Sequence, residues 1–473
     1  MNALLRETAP SFESVHGLRR ARLVQALQRE GGGIAIVPTA PLRQRNGDND
    51  FPYRYDSHFH YLTGFAEPQS WLVLGSDGST TLFCRPRDKE REIWDGFRLG
   101  PESGREALGV DAAYAIGELD ERLPRMLANQ GAVWYPFGVH ADLAARLDGW
   151  LAVVRGRGRG REGVECPSSQ RDLNLLLDEM RLIKDAGEIA TMRRAAEISA
   201  GAHTRAMRFC ADRFRAGAAS VREYEIEAEL LHEFRRHGAQ SPAYPSIVAA
   251  GANSCILHYE ASDAALLPGE LCLIDAGCEL GGYASDVTRT FPAAGRFTAA
   301  QRELYEIVLT AQKAAIAATR PGARQRDAHH AAVRVLAQGM LDCGLLDRNK
   351  VGDLEAVIDS AAYRQFYMHG TGHWIGLDVH DVGEYLSLGE PPCEHADGLG
   401  GKVVKKPSRL LQPGMAVTLE PGLYVRPADG VPEKYWNIGI RIEDDAVITA
   451  EGCELISRGV PVEAGEIEAL MRA

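Results

Sequence analysis

The sequence predicts an α+β protein of two or three domains, in which an α/β domain is followed by a larger region mixing long helices with strands. Three observations predict it. The chain has 473 residues, too many for one compact core of usual size; its first third alternates helical stretches with short apolar runs; and its remainder carries helices at a spacing of three and four beside strands that bear carboxylates.

The first helix is marked by Leu18, Val24 and Leu27, and a triple glycine at 31 to 33 ends it. Residues 34–37, IAIV, then read as a parallel strand, and further strands are expected at 71–74, 80–84 and 132–135. His58 and His60, inside FPYRYDSHFHYLTGF, are expected to pack in a strand or loop rather than bind a metal. The run RGRGRGR at 155–161 reads as a linker or exposed loop. A domain boundary just beyond it divides the chain into residues 1–176 and 177–473.

After the boundary, Ile189, Met192, Ala196, Ala200, His203 and Met207 define the buried face of one helix, with His203 a core residue. Tyr224, Ala228, Leu231 and Phe234 mark a second helix, stopping at Gly238. A third begins at Thr298, whose T-x-x-Q pattern with Gln301 is a capping box. A fourth runs from Asp327 to about Cys343, its His329 and His330 expected at the surface or in packing.

A net charge of -12 argues against a broad surface for DNA or RNA. Nine scattered cysteines without a CxxC pair indicate neither a disulfide framework nor a zinc ribbon, and suit a reducing cytoplasm. No stretch approaches the roughly 18 consecutive apolar residues of a membrane span, and the N-terminus lacks the apolar segment of a signal peptide.

The chemistry starts at LCLIDAGCELGGYASDVTRTFP, residues 271–292. A buried strand to Ala276, turn glycines at 277, 281 and 282, and a return strand from Tyr283 to Thr290 form a hairpin that carries Asp275 and Asp286. Two carboxylates in apolar surroundings call for a cation, a shared proton or an arginine. Later segments supply partners. MHGTGHWIGLDVHD at 368–381 holds His369, His373 and His380 among glycines that exclude a helical HExxH. In MAVTLEPGLY, Glu420 falls on the face opposite Val417 and Leu419; in NIGIRIEDDAVIT, Arg441 and Glu443 oppose Ile440 and Ile442. NSCILHY delivers His258. Asp275, Asp286, His373, Glu420 and Glu443 form an oxygen-rich set with one imidazole, suited to manganese and similar divalent ions. Four carboxylates need more than one dication, as in hydrolases with two adjacent metals.

These stretches, together with HEFRRHGAQSPAYPSIVAAG, TLEPGLYV and YWNIGIRIEDD, resemble the bacterial aminopeptidase P family of metallopeptidases, and FPYRYDSHFHYLTGFAEP and EIWDGFRLGPE extend the resemblance into the N-terminal half. It implies an N-terminal creatinase/prolidase-like α/β domain, a C-terminal pita-bread catalytic domain, and hydrolysis of the bond between an N-terminal residue and a following proline. It further implies two divalent ions, manganese being expected, with Asp275 on one metal, Asp286 and Glu443 bridging, and His373 and Glu420 on the second. Glu420 would double as proton shuttle. His258 and His380 would line the substrate site and steady the scissile carbonyl, His369 would join them, and Arg441, with Tyr424, would sit beside the metal carboxylates. Relatives form dimers and tetramers, and Trp94 would cap a neighbour's site. The rival readings are a prolidase restricted to dipeptides, a metal-free creatinase-like amidinohydrolase and a non-catalytic binding module. The last two classes lack the carboxylates retained here.

Overall fold

A computed structural model describes residues 14–159, 163–396 and 402–473 and divides them into two compact units meeting at Met180 and Arg181. That division lies within the helix Asn174–Leu182.

The N-terminal unit is built on a six-stranded mixed sheet in the order Ala112–Ala115, Thr80–Cys84, Trp71–Gly75, Ile34–Pro38, Ala132–Tyr135, Ser169–Asp172. The strand Ile34–Pro38 is fully buried, as its apolar run requires. It is parallel to Ala132–Tyr135 but antiparallel to Trp71–Gly75, so only one of its two edges fits the parallel expectation. Two further expectations fail here. His58 and His60 lie on a helix, Ser57–Thr63, which Asp56 caps by accepting from the Phe59 amide, and a left-handed Gly64 closes. His60 then stacks on Tyr55 at 3.8 Å. The arginine-glycine run is no linker over its described part: residues 155–159 continue the helix Leu143–Arg159. Leu151 and Val154 are buried one turn earlier, and extending an anchored helix outweighs a cost of about 1 kcal/mol per glycine. Residues 160 and 161 of that run lie outside the described residues.

The C-terminal unit packs four long helices, Ala186–Arg215, Glu223–Arg236, Ala299–Ala318 and Gln325–Asp342, with several small antiparallel sheets over one apolar core. Thr298 and Gln301 form the expected capping box. In the second helix the buried face is Ile226, Leu230 and Phe234, while Tyr224 is 53% exposed. Ala228 is exposed as well and Leu231 only half-buried, so of the expected stripe Phe234 alone lies fully in the core, and the buried face runs at a spacing of four through Ile226, Leu230 and Phe234. Among the described residues no helix is long and apolar enough to cross a membrane.

The functional side chains hang on three of the sheets. One orders Ile247–Ala250, Leu271–Asp275 and Thr288–Pro292; a second pairs Ala416–Leu419 with Asp444–Ile448; a third pairs Gly422–Val425 with Ile438–Arg441. The predicted return strand is broken in two. Thr288–Pro292 pairs with Leu271–Asp275, whereas Tyr283–Ala284 pairs with Cys278–Leu280 in a separate small sheet. Gly277 permits the break, since a Cβ there would stand 1.7 Å from the Ser285 carbonyl oxygen.

Candidate active site

The ladder between Leu271–Asp275 and Thr288–Pro292 ends at Asp275 opposite Thr288, and the chain between the two small sheets presents Asp286 beside it. Both carboxylates are buried. Asp275 accepts from Arg441 Nη2 at 2.7 Å through Oδ2 and from the Tyr244 hydroxyl at 2.6 Å through Oδ1. The Asp286 amide donates to Asp445 Oδ2 at 3.0 Å.

Glu420 and Glu443 arrive where paired strands stop. Leu419 and Asp444 are the last partners of their ladder, so Glu420 and Glu443 leave it side by side. The Glu420 amide donates to Thr371 O at 2.8 Å, and the Glu443 amide to Thr288 O at 3.1 Å. Thr288 also donates its hydroxyl to Glu443 Oε2 at 2.6 Å. The glycine-flanked loop supplies the imidazole: His373 Nδ1 donates to Trp374 O at 2.9 Å, which turns Nε2 toward Asp286 at 3.4 Å and Glu420 at 3.9 Å. Fixing one ring nitrogen on a carbonyl is how a ligand histidine is held in the tautomer that leaves the other free. Single oxygen or nitrogen atoms of Asp286, His373 and Glu443 lie within 4.8 Å of one another.

These groups line a cavity of about 450 Å³ together with His258, His369, His380, Arg441 and Tyr244. His380 stacks on His373 with ring centroids 3.9 Å apart. His369 donates from Nδ1 to Gly370 O at 2.7 Å, so its Nε2 accepts from the Tyr424 hydroxyl at 2.8 Å. Arg441 Nη1 donates to that hydroxyl at 3.0 Å, while its Nη2 holds Asp275. All ten predicted residues of the C-terminal unit thus form one connected site. Trp94 belongs to the N-terminal unit, on the helix Lys89–Asp95, with its side chain 84% exposed.

The electrostatics are those of crowded carboxylates. Burial raises Asp275 despite Arg441, and burial with Asp286 nearby raises Glu443 well above the ordinary range. Burial lifts Glu420 to about 7. Burial is the largest influence on Asp286 and opposes its ionised form, but the hydrogen bond and charge of His373, with the Tyr244 hydroxyl, together outweigh it and hold that carboxyl low. Burial opposes protonated His373, yet Asp286 lifts it to about 9; burial drives His369 down to about 3 and lowers His380. Three buried carboxylates and the part-buried Glu420, set against one guanidinium and the His373 imidazole, form a donor set that fits hard divalent cations.

Tyr244 and Asp445 escaped the sequence reading. A tyrosine between two prolines in a loop reads as packing, and the second aspartate of the pair 444–445 reads as strand-end polarity. The one available signal was charge density, three consecutive acids in an otherwise apolar strand.

The sequence pattern of Metallopeptidase family M24 matches residues 190–450, and that of the Aminopeptidase P, N-terminal domain matches residues 16–134. The Xaa-Pro aminopeptidase of Escherichia coli (strain K12) is 43% identical over 459 residues, covering 96% of this chain and 97% of its own. Among solved structures, Pseudomonas aeruginosa aminopeptidase PepP superposes with a TM-score of 0.86 at 46% identity, covering 96% of this chain and 98% of that one. A glutamate-to-alanine variant of Escherichia coli aminopeptidase P in complex with substrate gives a TM-score of 0.88 at 41% identity, covering 98% and 99%. With its site geometry and both domain patterns in the family's order, this chain belongs to the bacterial aminopeptidase P branch of metallopeptidase family M24, with that family's N-terminal domain and pita-bread catalytic domain.

Proposed function

We propose that the protein is a two-metal aminopeptidase that removes an N-terminal residue from peptides with proline in second position, and that manganese is its working ion. The carrying observation is the convergence of Asp275, Asp286, His373, Glu420 and Glu443 on the wall of a cavity that also holds His258, His369 and His380. The five residues would hold the ions. Bound there, the two ions supply polarisation of the scissile carbonyl and activation of water at neutral pH.

The chain's own groups carry the rest. Glu420, on the cavity wall beside His369 and His373, is placed to accept a proton and return it to the proline nitrogen as the bond breaks. Unprotonated, that nitrogen would leave as a strongly basic amide anion, so its departure requires a delivered proton. His258 and His380 face the carbonyl oxygen and stabilise the charge that develops on it. Neutral His369, fixed between Gly370 O and Tyr424, completes this side of the site. Arg441 keeps Asp275 and Tyr424 in place.

The N-terminal domain, residues 1–176, serves assembly and capping, and residues 177–473 catalyse. A cytoplasmic dimer or tetramer, with Trp94 over a neighbour's site, is the proposed working form. The test is a kinetic panel of Xaa-Pro-Yaa peptides and Xaa-Pro dipeptides with added manganese, beside an Asp286→Ala variant. Turnover of the longer peptides and its loss in the variant are expected. Turnover of dipeptides alone would make the protein a prolidase, and an unaffected variant would remove the two-metal reading.

A further inference from the structure

Gln312 sits on the helix Ala299–Ala318, fully buried and outside the cavity lining. Its amide reaches three acceptors through Nε2: Leu419 O at 3.2 Å, Ile442 O at 3.3 Å and Asp444 Oδ2 at 2.9 Å. Those groups belong to the residue before Glu420, the residue before Glu443 and the residue after it. The orientation of the amide follows from its other end. Arg458 Nη2 lies 2.9 Å from Oε1, and a guanidinium only donates, so the neighbouring atom is the amide oxygen and the NH2 faces the two carbonyls and the carboxylate.

The position has a consequence for the site. The ladder between Ala416–Leu419 and Asp444–Ile448 stops at Leu419 opposite Asp444. Beyond it, Glu420 and Glu443 lie in a gap between two ladders, since the Ile442 amide donates to Pro421 O at 3.3 Å and Gly422 pairs with Arg441 on the far side. Gln312 joins the two chains at that point. Asp444, its third acceptor, is a fully buried hub that also accepts from Arg289 Nη2 at 2.8 Å and Ser457 Oγ at 2.7 Å and forms an ion pair with Arg458, Nε to Oδ2 at 3.0 Å. An apolar residue of equal length would fill this space without the cost of desolvating an amide, so the polar contacts are what the position retains.

We propose that Gln312 is a positioning residue for the metal site, its amide setting the spacing of Glu420 and Glu443. The inference rests on reading those two glutamates as metal ligands. Gln312→Met keeps length and removes every hydrogen bond; Gln312→Glu keeps the shape and the bond from Arg458 and offers at most one donor in place of two.

Manganese binding by calorimetry and steady-state kinetics on an Xaa-Pro-Yaa peptide at saturating manganese read the outcome. The manganese Kd is expected to rise about 10- to 100-fold in the Met variant and less in the Glu variant, the range found when partners of ligand residues are removed. Under saturation kcat falls while KM stays within about two-fold, a split that general loosening of the fold would not produce. Kd and kcat within about two-fold of the parent in the folded variants overturn the proposal, the Glu variant deciding if the Met variant does not fold. Failure of both to fold overturns it too, by assigning Gln312 to the folding core. Glu420→Gln and Glu443→Gln are measured alongside. If those bind two ions as the parent does, the ligand reading falls and takes the proposal with it; if they lose metal while the Gln312 variants do not, only the positioning role falls.

Discussion

The Tyr244 hydroxyl stands 2.6 Å from Asp275 Oδ1 and 2.5 Å from Asp286 Oδ1. One hydroxyl hydrogen serves two carboxylates, in a place where burial and both acids push the phenol well above its ordinary pKa. It is a neutral donor held where cations would otherwise have to balance the charge. Tyr244→Phe is therefore expected to destabilise the metal-free protein by about 2 kcal/mol, the worth of a hydrogen bond to a charged group. A divalent ion held by the same carboxylates would take over this role, so the loss should shrink in metal-loaded protein. Thermal unfolding of both forms checks this, and equal losses with and without metal would contradict it.

Arg441 and Asp275 form a buried pair, with 4% and 13% of the side chains exposed. Removing one partner of such a pair leaves an uncompensated buried charge and costs about 3 to 5 kcal/mol. Arg441→Ala is expected to unfold at markedly lower temperature and to lose activity through displaced Asp275 and Tyr424. Arg441→Lys keeps the charge but cannot reach Asp275 and Tyr424 together, because an ammonium lacks the fork. It should recover stability more than kcat. Equal recovery of both would show that charge alone matters at this position.

Gly372 is a matter of space. A Cβ there would stand 1.9 Å from Thr418 O, in the strand against which the loop lies. The His373 amide donates to Thr418 Oγ1 and the Thr418 amide to His373 O, so any retreat of the loop moves His373. Gly372→Ala is expected to cost about 3 kcal/mol or more and to lower bound metal in proportion, read by denaturant unfolding and metal analysis. Unchanged metal content in a folded variant would mean that the loop adapts without moving its histidine.

Most of the site was legible because buried charge is conspicuous in strands that are otherwise apolar. Glu420, Arg441 and Glu443 stand out by alternation, Asp275 by closing a wholly apolar run, and the glycines around His369 and His373 mark a backbone approach. What escaped were residues whose role is set by three-dimensional neighbours. Gln312 lies in an ordinary helix and looks like any polar residue there, and Tyr244 acquires meaning only from two acids more than thirty residues on. In the fold, helices with a clear stripe and cap were found to within a few residues. The arginine-glycine helix end and the helix at His58 were missed because glycine content and aromatic density outweighed, in local reading, an anchoring turn and an Asp56 cap.

His203 is fully buried and its Nε2 donates to Ala276 O at 3.0 Å, one residue beyond Asp275. Burial lowers its pKa to about 4, against about 6.5 for an unfolded histidine. The folded chain therefore holds the ring neutral while the unfolded chain takes up a proton as pH falls below about 6.5. The stabilisation is complete above that value and is lost as pH falls toward about 4, to a limit of about 3 kcal/mol for a shift of this size. His203→Gln retains a donor for Ala276 O and removes the titration. Denaturant unfolding of parent and variant across this window should show the parent's advantage narrowing with acid, whereas parallel stability curves would exclude His203 as a source of acid sensitivity.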